Sequence, residues 1–92
     1  MIVRISGEAQ YRLADEKKDE LNRLDNAVVA TVESEDEAGF QSAFAALLDY
    51  VRANGERLPD DELEGSDLIL PPADLTLVEA EHEFSGEGLI PD

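Results

Sequence analysis

The sequence has no cysteine, no tryptophan and a single histidine. The missing thiols exclude disulfide bonds, thiolate metal sites and a cysteine nucleophile. Because only two tyrosines and three phenylalanines are present, a hydrophobic core must consist mainly of leucine, valine, isoleucine and alanine. No apolar run approaches the ~20 residues that cross a bilayer, and the opening MIVRISGEAQ lacks the apolar region of a secretory signal. We therefore expect a cytoplasmic protein.

Basic residues are scarce as well: seven stand against 23 acidic residues, which gives a formal net charge of −16. Such a surface repels nucleic acids and anionic lipids, so we expect no nucleic-acid binding and no direct binding to an anionic membrane. It attracts cations and basic protein surfaces. Two explanations of the acidity stay open, halophilic adaptation and a dedicated docking patch. The spread of the acids along the whole chain favours adaptation.

The 92 residues, of which 42% are hydrophobic, suit a single domain over residues 1–92. A β-favouring run over residues 2–5 and an alternating run over residues 10–13 flank a loop that contains Gly7. This pattern predicts an N-terminal β-hairpin.

A first amphipathic helix is predicted from Asp15, as its N-cap, to about Ser34. Asp19 and Arg23 have the spacing of an exposed ion pair on this helix. Its apolar stripe repeats at intervals of three and four residues and comprises Leu21, Leu24, Val28 and Val32.

A second amphipathic helix begins either at a capping box formed by Ser34 and Glu37 or at the competing cap Asp36. Gly55 follows its last turn and supplies the stop signal. Its apolar stripe comprises Phe40, Phe44, Leu47, Leu48 and Val51. The two stripes predict an antiparallel αα-hairpin whose helices pack against each other.

The C-terminal third is predicted to begin with an acidic surface loop over residues 58–66. Residues 68–70 then form a short apolar run that two prolines close, which suits a strand that pairs with the hairpin. Thr76 and Glu79 are spaced as a capping box for a short third helix that ends near Phe84. The expected fold class is α+β and α-rich.

Catalytic groups are sparse. His82 follows Glu79 by three residues, a spacing that supplies two ligands in carboxylate-bridged metal sites, but those sites need the motif twice. Asp60 and Asp61 lie in a polar loop, where water keeps both carboxylates ionised. We therefore predict no catalytic residue, no cofactor and no metal. A metal-dependent or acid–base enzyme centred on His82 and Glu79 is the alternative, and replacing His82 with alanine discriminates between the two.

Four segments of the sequence resemble one known family. They are MIVRISGEAQY at residues 1–11, LPDDEL at 58–63, SDLILPPADLTL at 66–77 and EGLIP at 87–91. In these segments the chain is similar to the PspA-associated family, PspAA, nearly from end to end. It departs from the family pattern in the third helix, where VEAEHEFS is more acidic.

The resemblance implies a small helical domain that partners PspA, a coiled-coil, membrane-remodelling protein of the envelope stress (phage shock) response. It transfers no catalytic residue. We expect a non-enzymatic adaptor or regulator, recruited to the inner face of the membrane through PspA. A self-associating structural protein, or homo-oligomer, is a further alternative. The residues predicted to contact a partner are Tyr11, Leu68, Ile69, Leu89 and Ile90.

Overall fold

The computed structural model describes residues 1–59 and 65–83, with side chains as far as Glu81. A single 3-10 turn, Asp15–Lys17, precedes the first helix. Strands and helices follow the chain in the order β1 Ile2–Ile5, β2 Gln10–Arg12, α1 Lys18–Glu33, α2 Glu37–Asn54, β3 Glu56–Arg57, β4 Leu68–Leu70 and α3 Leu77–Glu83. This architecture confirms the predicted α-rich α+β fold with a β-hairpin, a helix pair and a short third helix.

The strands form one sheet in the order β3-β2-β1-β4. β1 and β2 are the predicted antiparallel hairpin, in which Val3 lies opposite Tyr11. Gly7 lies in the connecting turn with a φ of 80°, a conformation that side chains with a Cβ rarely adopt. β4 pairs in parallel with β1, with Val3 opposite Leu68, so the predicted pairing of residues 68–70 with the hairpin is confirmed. β3 pairs with β2 and was not predicted.

The start of α1 differs from the prediction. Ala14 occupies the cap position before the 3-10 turn and makes no side-chain hydrogen bond, so Asp15 is not an N-cap. The Asp15 carboxylate is instead 99% exposed and lies 3.8 Å from the N-terminal ammonium of Met1. Further along α1, Arg23 pairs with Glu20 at a spacing of three residues, whereas an ion pair with Asp19 was predicted.

The turn between the helices resolves the two alternatives for the start of α2. Asp36 is the N-cap, since its Oδ1 accepts a hydrogen bond from the Gly39 N–H at 3.0 Å. Ser34 ends α1, where its hydroxyl donates to the Thr31 carbonyl. Because Glu35 takes a left-handed conformation with a φ of 54°, the chain reverses between them. The predicted capping box of Ser34 and Glu37 is therefore wrong.

Both predicted helix stripes lie in the core. Among the stripe residues only Leu24 is partly buried, and Val29 joins the buried set. Phe40 and Phe44 stack with ring centroids 5.4 Å apart. The sheet contributes its inner face to the same core, namely Val3, Ile5, Tyr11, Leu68 and Leu70. The helix pair therefore covers one face of the sheet and leaves the opposite face to other contacts.

Asp25 of α1 is the one buried charged residue in the described part of the chain and has no solvent exposure. Throughout the described residues, no buried side-chain nitrogen or oxygen lacks a hydrogen-bond partner. Since an unpaired buried carboxylate is costly, the interaction that Asp25 makes offsets part of the cost of burying its charge.

The predicted third helix is present with its capping box. The Glu79 N–H donates to the Thr76 hydroxyl at 3.3 Å, and Glu79 Oε1 accepts from the Thr76 N–H at 3.1 Å. Ala80 is buried in the core, which fastens α3 to the rest of the domain. The predicted end of this helix near Phe84 lies outside the described residues.

Candidate partner-binding surface

The structure separates the five residues predicted to contact a partner. Tyr11 is 8% exposed and Leu68 is 5% exposed, because both side chains point from the sheet toward the helices. Ile69 is 59% exposed, because it points from the opposite side of β4. Leu89 and Ile90 lie outside the described residues. Of the three described positions, only Ile69 offers a surface to a partner, while Tyr11 and Leu68 hold the strands that carry it.

Strand register shows which residues share a side of the sheet with Ile69. Ile69 pairs with Arg4 across β4 and β1, Arg4 pairs with Gln10, and Ile2 pairs with Arg12. Paired residues of neighbouring strands point to the same face. Glu56 of β3 pairs with Arg12 and belongs to the same side. We call this the outer sheet face, and it comprises Ile2, Arg4, Gln10, Arg12, Glu56 and Ile69.

The outer sheet face is partly open to solvent. Arg4, Arg12 and Ile69 are exposed, whereas Ile2 and Gln10 are half-buried. The chain that leads into β4 is tied to this face at two points. Gln10 Nε2 donates to the Ser66 hydroxyl at 2.8 Å, and the Ile2 N–H donates to Asp67 Oδ2 at 2.7 Å.

The sheet differs from the rest of the chain in charge. Its four strands contain three arginines and one glutamate, although acids outnumber bases 23 to 7 in the whole sequence. The glutamate, Glu56, lies opposite Arg12 on the short edge strand β3. The outer sheet face itself holds two arginines and this glutamate. The sequence pattern did not reveal this face, because the arginines come together only through strand pairing.

A shallow groove lies beside Ile69, between the end of β4 and the start of α3. Pro71 and Leu75, which form part of its lining, are buried. The groove is lined by Ser6, Ile69, Leu70, Pro71, Pro72, Leu75 and Glu79. Ile69 therefore borders both this groove and the outer sheet face.

An ion-pair cluster joins the hairpin turn to α2. Arg52 donates from Nε to Glu8 Oε1 at 3.1 Å, from Nη2 to Glu8 Oε2 at 2.5 Å, and from Nη1 to Asp49 Oδ1 at 3.0 Å. The hydrogen bond from Arg52 lowers the pKa of Glu8, with a smaller contribution from the charge of Arg57. The same bond raises the pKa of Arg52. Both groups stay charged near neutral pH, which suits a structural clamp.

Tyr50 has a structural role as well. Its hydroxyl donates to the Lys17 carbonyl at 3.0 Å, which ties α2 to the start of α1. Burial raises the pKa of Tyr50, and the nearby charge of Glu20 adds to the effect. The phenol therefore stays protonated and keeps donating its hydrogen bond at neutral pH.

The alternative enzyme site gains no support from the geometry of Glu79. Its carboxylate accepts hydrogen bonds from both the N–H and the hydroxyl of Thr76, at 3.1 and 3.0 Å, so it serves as a helix cap. The side chain of His82 and the pair Asp60 and Asp61 lie outside the described residues. Within the described part, no three His, Cys, Asp or Glu side chains are grouped so that they could hold a metal ion.

None of the helices in the described segments, residues 1–59 and 65–83, combines the length and apolar character that a bilayer-spanning helix requires.

Comparison with known proteins gives one match. No curated protein and no solved structure is similar enough to match. A family model described as PspA-Associated protein matches residues 1–92. The description names an association with PspA and no reaction. Because the match covers the whole sequence, the chain belongs to the PspA-associated protein family, PspAA.

Proposed function

We propose that this chain is a non-catalytic adaptor that binds PspA and tunes its assembly in the envelope stress response. The observation that carries the proposal is the family match over residues 1–92. The described geometry is compatible with it, since the polar clusters built around Arg52, Tyr50 and Glu79 all have structural roles. The domain thus acts through its surface.

The contact with PspA includes Ile69 and extends to the apolar pair Leu89 and Ile90. Exposed apolar side chains gain free energy when a partner covers them. Ile69 and Val78 are the only large hydrophobic residues exposed in the described part of the chain. The backbone that carries Ile69 is held in place, because its neighbours in β4, Leu68 and Leu70, are buried.

Membrane recruitment in this proposal is indirect. A net charge of −16 opposes close approach to an anionic bilayer, so PspA makes the membrane contact. The same charge opposes self-association at low salt. A homo-oligomer is therefore expected only where salt screens the repulsion.

Binding is tested by mixing purified chain with PspA at the salt concentration of the native cytoplasm. Co-elution in size-exclusion chromatography and a changed size distribution of PspA assemblies in sedimentation are expected. Separate elution with unchanged PspA assembly contradicts the proposal. Sedimentation of the chain alone at several salt concentrations detects the homo-oligomer.

Two matched variants locate the apolar contact. Ile69→Asp removes the exposed side chain proposed to touch PspA, and Val78→Asp makes the same kind of change on α3. We expect Ile69→Asp to weaken binding and Val78→Asp to leave it unchanged. His82→Ala is expected to keep full binding, whereas a metal-dependent enzyme would lose its metal or its activity.

A further inference from the structure

We infer that β4 is an open sheet edge that takes a basic, extended segment of the partner protein as an added strand. This inference rests on the proposed function and adds the chemistry of the partner segment. It begins from the strand order β3-β2-β1-β4, which leaves one side of β4 without a neighbouring strand in the described part of the chain. Edge strands present unpaired backbone groups with which an extended segment of another protein can pair.

The backbone of Ile69 faces the open side of β4. Leu70 faces β1 instead, because its carbonyl accepts a hydrogen bond from the Ser6 N–H at 3.0 Å. Successive residues of a strand direct their N–H and C=O groups to alternate sides, so the N–H and C=O of Ile69 point away from β1. They supply one donor and one acceptor to an added strand.

The two edges of the sheet differ in how well they are protected. At the β3 edge both strand residues, Glu56 and Arg57, are charged, and Pro59 follows two residues later. Charged side chains and proline are the usual protection of an edge strand against pairing. β4 has no charged residue and carries Ile69, which is 59% exposed. The β4 edge is therefore short but unprotected.

The groove beside Ile69 determines which side chains the added segment must carry. Its lining includes the buried apolar residues Leu70, Pro71 and Leu75, and it lies between the end of β4 and the start of α3. An added strand places every second side chain on the same side of the sheet as Ile69. One apolar side chain there covers Ile69, and a second enters the groove where the segment passes the end of β4. The segment is therefore partly apolar.

The charges around the edge determine the sign of its remaining residues. Asp67 is exposed just before β4, and Glu79 is exposed at the other end, where it lines the groove. Arg4 lies next to Ile69 but on β1, about 10 Å, or two strand spacings, from an added strand. The net charge of −16 attracts a basic segment from a longer range. A segment that complements this edge is therefore basic as well as partly apolar.

The first test separates the backbone of Ile69 from its side chain. Ile69→Ala shortens the side chain and keeps the N–H, whereas Ile69→Pro removes the N–H as well. Proline is tolerated in an edge strand where the N–H faces solvent, so both variants are expected to fold, as circular dichroism and thermal unfolding will check. In isothermal titration calorimetry with PspA at fixed salt, we expect Ile69→Pro to bind about fivefold more weakly than Ile69→Ala, because a hydrogen bond to the added strand is lost. Loss of the fold in Ile69→Pro alone would show that this N–H is needed inside the domain and would overturn the inference.

The second test removes the charge of the two acids beside the edge and keeps their hydrogen bonds. Asp67→Asn can still accept from the Ile2 N–H, and Glu79→Gln can still cap α3, since glutamine serves in a capping box. The control double variant, Asp19→Asn with Glu33→Gln, makes the same change of charge at exposed positions of α1. We expect the edge double variant to bind PspA about fivefold more weakly than the parent chain and the control to stay within about twofold.

The parent chain distinguishes failure of this inference from failure of the proposed function. If the parent chain does not bind PspA, the proposed function fails and this inference fails with it. If the parent binds PspA, but Ile69→Pro binds like Ile69→Ala or the two double variants bind alike, this inference fails while the adaptor proposal stands.

Two measurements on the free chain test other occupants of the edge. We expect the Ile69 amide hydrogen of the monomeric chain to exchange rapidly with deuterated water in NMR, and slow exchange would show that a segment of the same chain covers the edge. Sedimentation of the parent and of Ile69→Pro is expected to show monomers of both. A parent dimer that Ile69→Pro dissociates would assign the edge to a second copy. Either contrary result would overturn the choice of a partner segment.

Discussion

Replacing Glu8 with glutamine measures how strongly the ion-pair cluster clamps the hairpin turn to α2. Arg52 donates to both carboxylate oxygens of Glu8, and glutamine keeps the size of the side chain while removing its charge. The Glu8 and Arg52 side chains are each 35% exposed, so solvent screening limits the loss to about 0.5–1 kcal/mol. In a domain of this size about 1 kcal/mol shifts Tm by about 4–8 °C. We expect Tm to fall by about 2–8 °C.

A second acid-to-amide variant is the control for this experiment, because it changes the net charge by the same amount. Any acid-to-amide change reduces self-repulsion in a chain of net charge −16 and on that ground alone should stabilise it. Glu33→Gln makes the same change at an exposed position in the last turn of α1, where a negative charge also opposes the helix dipole. We expect Glu33→Gln to be neutral or stabilising and Glu8→Gln to be destabilising.

The pH dependence gives a second check on Glu8. The Arg52 hydrogen bond lowers the pKa of Glu8 below its ordinary value of 4.5. A carboxylate with a lowered folded-state pKa stabilises the fold above the unfolded-state pKa, and this contribution is lost as pH falls through the folded-state value. The difference between parent and Glu8→Gln should thus be constant near neutral pH and shrink below about pH 4.5.

Urea unfolding followed by far-UV circular dichroism, at pH 7 and at a series of acidic pH values, measures both effects. The clamp is refuted if Glu8→Gln is as stable as Glu33→Gln at pH 7. It is also refuted if the difference between parent and Glu8→Gln stays the same in acid.

Three further variants test local features by the same urea unfolding. Asp36→Ala should cost about 1 kcal/mol by removing the N-cap of α2, and Ser34→Ala should cost less; the reverse order would contradict the assignment of the cap. Gly7→Ala should cost about 1–2 kcal/mol because φ is 80°. Nothing lies within 4 Å of the added methyl group, so a neutral result would contradict the conformational cause. Asp25→Ala should cost about 1–3 kcal/mol by removing the interaction that this fully buried carboxylate makes, and an unchanged midpoint would exclude a stabilising role.

Helices and the hairpin could be predicted because their signals are local. When apolar residues recur at helical spacing, only a helix places them all on one face for burial. The hairpin was predictable as well, because the turn around Gly7 joins two runs of strand-forming residues. The start of α2 stayed ambiguous because Ser34 and Asp36 are both good caps. The fold decides between them, since α1 continues to Glu33 and the left-handed residue Glu35 then reverses the chain.

The strand β3 could not be predicted, because Glu56–Arg57 is a polar pair with no strand pattern. These two residues form a strand only because the end of α2 places them beside β2. Gly55 passes so close to Tyr11 that an added Cβ would lie 2.8 Å from the Tyr11 Cβ. This close approach brings the chain alongside β2, and pairing follows. Contacts of this kind depend on tertiary structure and leave no local signal.

The candidate contact residues show the same limit. Alternation in β4 places Ile69 on the face opposite Leu68, but it does not say which of the two faces the helices cover. That choice follows from the way the helix pair packs on Val3 and Tyr11. Sequence patterns can thus assign residues to two faces of a strand, while tertiary packing decides which face is buried.

The distribution of charge in the fold bears on the two explanations of the acidity. Halophilic adaptation works through hydrated carboxylates, so it predicts acids on every exposed surface. On the outer sheet face Glu56 is exposed opposite Arg12, and Arg4, Arg12 and Ile69 are exposed as well. An acid is therefore present on this face, as adaptation predicts. Ile69 is the feature that adaptation does not explain, because it is an exposed apolar residue on a short edge strand, where exposed apolar groups and unpaired backbone are ordinarily protected. Adaptation thus accounts for the acids of the surface, including Glu56, and leaves the exposure of Ile69 to be explained by another cause.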